Sequence, residues 1–171
     1  EDDDLSTVVP PKVYFIDGEG IRYDFESQGA TSGERPYTLT SPEGKRLSLS
    51  LNAAGDQWIM LDKNEHLTYR FGAYTANWAP YLARLESITD SSGNAVSIDY
   101  YENEYPHAHE FFRIARITDA VGRVTSFTLT TTSGFPLCSR MTTPDGRSVS
   151  YEYDDDSNLV RVVDMLGTEI N

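Results

Sequence analysis

The sequence predicts an all-β fold: an antiparallel meander of hairpins forming one curved, open sheet. Three observations predict it. An Asp-x-x-Gly turn signature recurs along the chain. Each copy leads into an apolar/polar alternation, which is the period of a strand with one apolar face. No segment sustains helical periodicity. A supersecondary unit repeated in this way builds a quasi-linear array, in which neighbouring units bury one another's apolar faces.

The first twelve residues open with Glu1-Asp-Asp-Asp4 and read as an acidic arm. From residue 13 to residue 171 the chain reads as one repeat domain that stops within a repeat. Its first two turns are Asp17-Gly-Glu-Gly20 and Ser41-Pro-Glu-Gly44. A third, Asp62-Lys-Asn-Glu65, has lost its glycine. Residues 72–82 read as an insertion that lengthens a loop, with room for a turn of helix limited by Pro80. The returning strand Leu85-Glu-Ser-Ile88 then runs into Asp90-Ser-Ser-Gly93 and the alternating Val96, Ile98 and Tyr100. Residues 102–110 form a second insertion, and Ile114-Ala-Arg-Ile117 returns to Asp119-Ala-Val-Gly122. Phe127 closes that strand, and Thr130–Pro136 is read as a shorter loop. Thr143-Pro-Asp-Gly146 precedes Val149, Tyr151 and Tyr153. Leu159-Val-Arg-Val162 leads to Asp164-Met-Leu-Gly167 and Ile170.

The turn markers stand at 17, 41, 62, 90, 119, 143 and 164, so their steps are 24, 21, 28, 29, 24 and 21 residues. A base unit of about 21 residues holds two strands and two turns. The insertions all fall between the aromatic strand end and the returning strand, and so on one edge. In the returning strands the first two apolar residues are three apart, which places the first in the entering turn or beside a bulge.

Within the turns, Asp accepts backbone N–H groups and Gly takes a positive φ. The turn residues of structural interest are therefore Asp17, Gly20, Gly44, Asp90, Gly93, Asp119, Gly122, Gly146, Asp164 and Gly167.

Composition narrows the function. Eleven tyrosines and an apolar share of 39% suit a sheet-rich folded chain. A net charge of -13 opposes nucleic-acid binding, which needs clustered cations. No apolar run approaches the roughly 18–20 residues that a membrane helix needs. The single cysteine, Cys138, forms no internal disulfide and reads as a small strand residue rather than a nucleophile.

His107 and His109 would point the same way in an extended segment, with Glu104 and Glu110 nearby, but no third His lies close and the segment reads as a solvated loop, so no metal is expected. Asp154-Asp-Asp156 lacks calcium-loop spacing and reads as a solvated turn. Gly18 and Gly20 precede a strand, not a helix, so there is no phosphate loop. No convergent catalytic set is visible, so neither enzymatic activity nor a cofactor is expected. Tyr74, Trp78 and Tyr81 are a candidate stacking platform for a glycan or a protein.

Several of these residues resemble the Rhs/YD-repeat family. The unit of that family looks like Asp-x-x-Gly-Arg, an alternating strand ending in Tyr-Asp, then Gly/Asn-x-Leu-x-x-Val-x-Asp. Gly146-Arg147 through Tyr153-Asp154, Asn158-Leu159, Val162 and Asp164 match it almost throughout. The match extends over residues 85–171 and weakens over 13–71. The resemblance implies a long spiralling antiparallel sheet. In bacterial polymorphic toxins, insecticidal toxin complexes and teneurins such sheets close into a hollow shell, which in the toxins encloses a C-terminal toxic segment.

The implied role is a section of such a shell, from the N-terminal part of the repeat region. Its partners would be the rest of the parent chain and its toxin cargo, with a secreted or cell-surface location. Thr143-Pro-Asp-Gly146 copies the Pro and Gly of the family's core-terminating motif but lacks its first acid. A glycan- or protein-binding surface module is the alternative, which a glycan array would separate. Self-association through an exposed sheet edge is also expected.

Overall fold

The computed structural model describes residues 10–29, 34–42, 44–76, 79–101 and 113–170. Among the described residues there are fourteen strands, β1 to β14, and within each of the two compact units the hydrogen-bonded order is also chain order. Every strand pair with a described register is antiparallel. The meander follows from short turns, which leave each strand beside the one it has just left. Among the described residues there are no helices, and so none long and apolar enough to cross a membrane. The chain divides into two compact units, Glu1–Ala95 and Val96–Asn171.

The first unit holds β1 (Lys12–Ile16), β2 (Arg22–Ser27), β3 (Arg35–Ser41), β4 (Leu47–Leu51), β5 (Gln57–Asp62), β6 (Leu67–Ala76) and β7 (Ala79–Thr89). Its core is Tyr23, Phe25, Tyr37, Leu49, Leu51 and Met60. Phe25 and Met60 are fully buried, each contributing about 1.5–3 kcal/mol.

This sheet curls over its own apolar face. Phe15 of β1 packs on Phe71 of β6, ring centroids 5.8 Å apart, although four strands separate β1 from β6 in the order. Phe15 also lies 5.8 Å from Tyr23, and Tyr37 meets Trp58 edge-on at 5.0 Å. The Tyr37 hydroxyl donates to the Pro10 carbonyl at 2.7 Å, which ties the segment before β1 to β3.

The second unit holds β8 (Ala95–Tyr100), β9 (Ile114–Thr118), β10 (Val124–Thr132), β11 (Phe135–Thr142), β12 (Ser148–Tyr153), β13 (Leu159–Val163) and β14 (Glu169–Ile170). Alternation sorts its strands into an apolar and a polar face.

Two expectations need correction. Residues 72–82 are not a loop insertion: β6 runs to Ala76 and β7 starts at Ala79. Thr130–Pro136 is likewise mostly strand, since Thr132 pairs with Phe135 across Ser133-Gly134. In both places the extra residues lengthen two paired strands, which satisfies backbone groups that a loop would leave to water. The insertion at 102–110 and residues 1–9 of the acidic arm lie outside the described residues.

Five returning strands carry a β-bulge that accounts for the three-residue spacing. Phe71 pairs with Leu85 while Arg70 pairs with Ser87, leaving Glu86 extra. Thr40, Ala115, Ser139 and Val160 are the extra residues elsewhere. The bulge returns Leu85 and Ile88 to one face, because Leu85 stands opposite Phe71 and Ile88 opposite Tyr69.

Candidate functional site: repeat turns and one apolar sheet face

The Asp-x-x-Gly turns share one hydrogen-bond pattern. At Asp119 the backbone N–H donates to the Arg123 carbonyl at 3.0 Å, and Gly122 N–H donates back to Asp119 at 2.9 Å. Asp119 Oδ1 accepts from Val121 N–H at 3.0 Å and from Arg123 N–H at 2.9 Å. Asp17, Asp90 and Asp164 repeat the arrangement. Gly20, Gly44, Gly93, Gly122, Gly146 and Gly167 all sit at φ between 82° and 87°. This is a type I turn closed by a bulge whose last residue is left-handed.

Backbone N–H donors hold these carboxyls below the usual range. For Asp119 and Asp164 the main causes are the N–H groups of Arg123 and Thr168. For Asp90 the leading cause is the Asn94 side chain. For Asp17, desolvation acts upward but is outweighed by Ile21 N–H and the Tyr23 hydroxyl.

Thr143 carries no carboxyl, and its turn recruits Asp145 instead. Thr143 Oγ1 lies 2.6 Å from Asp145 Oδ1, and Arg147 Nε donates to Asp145 Oδ2 at 2.6 Å. Together they lower the Asp145 pKa to about 2.

The turns differ where glycine is missing. His66 takes the left-handed residue of the Asp62 turn at φ 56°, one position later than the other copies. Ser157 takes the usual glycine position of the turn Asp154-Asp-Asp-Ser157, at φ 68°. Sequence reading missed a related turn one residue longer, Asn52-Ala-Ala-Gly55, in which Asn52 N–H donates to the Gln57 carbonyl and Asn52 Oδ1 accepts from Gly55 N–H at 2.9 Å. Asn in the first position was the available signal.

Tyrosine and serine hydroxyls join neighbouring hairpins of the second unit. Tyr153 donates to the Cys138 carbonyl at 2.8 Å. Tyr101 donates to the Phe127 carbonyl, and Ser133 to the Asp155 carbonyl. No sequence motif marks these pairs.

The apolar face of the second unit follows from the register. Ile98 stands opposite Ile117, Phe127 opposite Met141, and Met141 opposite Val149. Tyr151 stands opposite Val162, and Val162 opposite Ile170. These side chains are half-buried, except Ile170, which is exposed. The other face carries ion pairs, Arg116 with Asp99 at 3.2 Å and Arg161 with Glu152 and Glu169.

One stretch combines the turn at Thr143, the Tyr153-Asp154 strand end, the bulge at Val160 and the turn at Asp164. Residues 137–169 match the family model described as RHS Repeat. The chain carries an Rhs repeat. No curated protein matches the chain. The Rhs match runs from the third residue of β11 through the first residue of β14.

The remaining candidate residues are scattered or undescribed. Trp78, His107 and His109 lie outside the described residues, and for Tyr74 and Tyr81 only the strand backbone is described. Among the described residues no group of three His, Cys, Asp or Glu is placed to hold a metal ion.

Proposed function

We propose that this chain is a wall section of an Rhs-type shell, with its apolar face turned toward an enclosed polypeptide. One observation carries the reading. In the first unit, β1 covers the apolar face and yields six buried hydrophobic residues. In the second unit, the corresponding row from Ile98 to Val162 stays half-buried, and the opposite face carries charged pairs. A half-covered apolar row on one face is a surface for another apolar chain.

The mechanism is exclusion. A continuously hydrogen-bonded wall leaves proteases no extended backbone to bind, and the charged face keeps the outside soluble. The enclosed segment would be a toxin or similar cargo of the same polypeptide. The location is outside the producing cell, in keeping with a family that is generally extracellular or surface-associated. The wall itself performs no chemistry.

Limited proteolysis of the natural polypeptide that carries this chain tests the reading. A downstream segment that survives protease at native pH and is digested once the wall is unfolded is the expected result. A segment digested at the same rate in both states would refute enclosure.

A further inference from the structure

We propose that Tyr153 pins the β-bulge of the preceding hairpin at Ser139, so that one repeat fixes the side-chain facing of its neighbour. The two ends of the β10–β11 pairing differ in register by one residue. The Ser133-Gly134 turn holds Thr132 opposite Phe135, and at the far end Ser126 stands opposite Thr142. Between these ends one residue of β11 must go unpaired. Nothing in the Ser133-Gly134 turn decides which residue that is.

The position of the bulge has consequences, because it decides which face each intervening side chain occupies. With Ser139 extra, Thr128 pairs with Arg140 and Leu129 with Cys138. Cys138 therefore shares the apolar face with Leu129. Were the bulge nearer the turn, Cys138 would stand opposite Thr130 and point to the other face.

Hydroxyls donate to two carbonyls at the bulge. Ser139 donates to the Thr128 carbonyl at 3.2 Å. Tyr153 donates to the Cys138 carbonyl at 2.8 Å. The described β11–β12 register covers Arg140, Met141 and Thr142, short of Cys138, so the tyrosine reaches the strand beyond the described pairs. A bulge moved by even one residue would carry that carbonyl away from the hydroxyl and leave both groups unpaired. Tyr101 makes the same kind of bond to the Phe127 carbonyl, past the last described β9–β10 pair, Ser126 with Arg116.

Cys138 is the single cysteine of the chain and is half-buried, so its own thiol reports the bulge. The experiment measures alkylation of Cys138 by a maleimide in the intact chain and in Tyr153→Phe. Loss of one hydrogen bond should raise local opening, and so the alkylation rate, about three- to tenfold. Amide exchange should quicken at Ser139 and Arg140 and stay unchanged at Phe25 and Met60. Tyr151→Phe, which removes a hydroxyl two residues away on the same strand, should leave the rate unchanged. An unchanged rate in Tyr153→Phe, or an equal rise in Tyr151→Phe, overturns the proposal. Should Tyr153→Phe fail to fold, Ser139→Ala, which keeps the Tyr153 bond, should leave the alkylation rate of Cys138 unchanged, and a threefold or larger rise there overturns the proposal.

Discussion

The Tyr153 hydroxyl donates a 2.8 Å hydrogen bond to the Cys138 carbonyl, 15 residues earlier in the chain. The bond joins two hairpins through a side chain, beyond the described pairs of the backbone ladder. Because Tyr153→Phe keeps the ring and removes only the donor, it should lower global stability by about 1 kcal/mol. A urea midpoint equal to that of the unaltered chain would show that the carbonyl finds another donor.

Gly146 has φ 83° and open space where a side chain would stand, so conformation alone restricts it. Gly146→Val places a β-branched residue in the left-handed region at a cost of about 1–3 kcal/mol. Thr130→Val, at an exposed position on β10, should stay within about 0.5 kcal/mol. Denaturant midpoints in the reverse order would contradict the turn geometry.

Acid should weaken the turns. Asp90, Asp119, Asp154 and Asp164 have folded pKa values below the ordinary 3.8, and that of Asp145 is about 2. A carboxyl lowered by folding stabilises the fold fully above its unfolded value and loses that contribution as pH falls through its folded value. The urea midpoint should therefore drop between pH 4 and pH 2, a window set by those two values. Asp119→Asn retains an oxygen acceptor and should flatten part of the drop. A midpoint that rises as pH falls through this range would contradict the hydrogen-bond assignment.

Much of this was legible in the sequence, for local reasons. The turn signature fixes each marked turn because Asp and Gly act within five residues of each other. The spacing of Leu85 and Ile88 implied either an entering turn or a bulge, and the bulge lies at Glu86. Residues 72–82 misled because Gly72 and Pro80 usually signal a loop. Gly72 instead lies within β6 and pairs with Gln57 and Arg84. The core was less legible, since burial of Phe25 and Met60 accompanies β1 folding over β6, a contact that no local pattern encodes. The tyrosine and serine bonds were invisible because each depends on the register of a neighbouring hairpin.

The last hairpin should mediate self-association. Leu159, Val160 and Ile170 are exposed on β13 and β14, the end of the strand order. An apolar edge of this kind templates pairing with another chain. The net charge of -13 opposes it, but salt screens charge over about 10 Å at 0.1 M. Light scattering should show association that strengthens with salt and weakens in Val160→Lys. A strictly monomeric chain at high concentration and high salt would mean that this edge is covered.

The most direct test of the wall is to ask what touches each of its faces. A photo-crosslinking residue in place of Phe127, on the apolar face, should capture a segment of the same natural polypeptide in high yield. The same group in place of Thr128, on the opposite face, should capture none. Equal capture from both positions, or capture from Thr128 alone, would contradict an apolar face turned toward an enclosed chain.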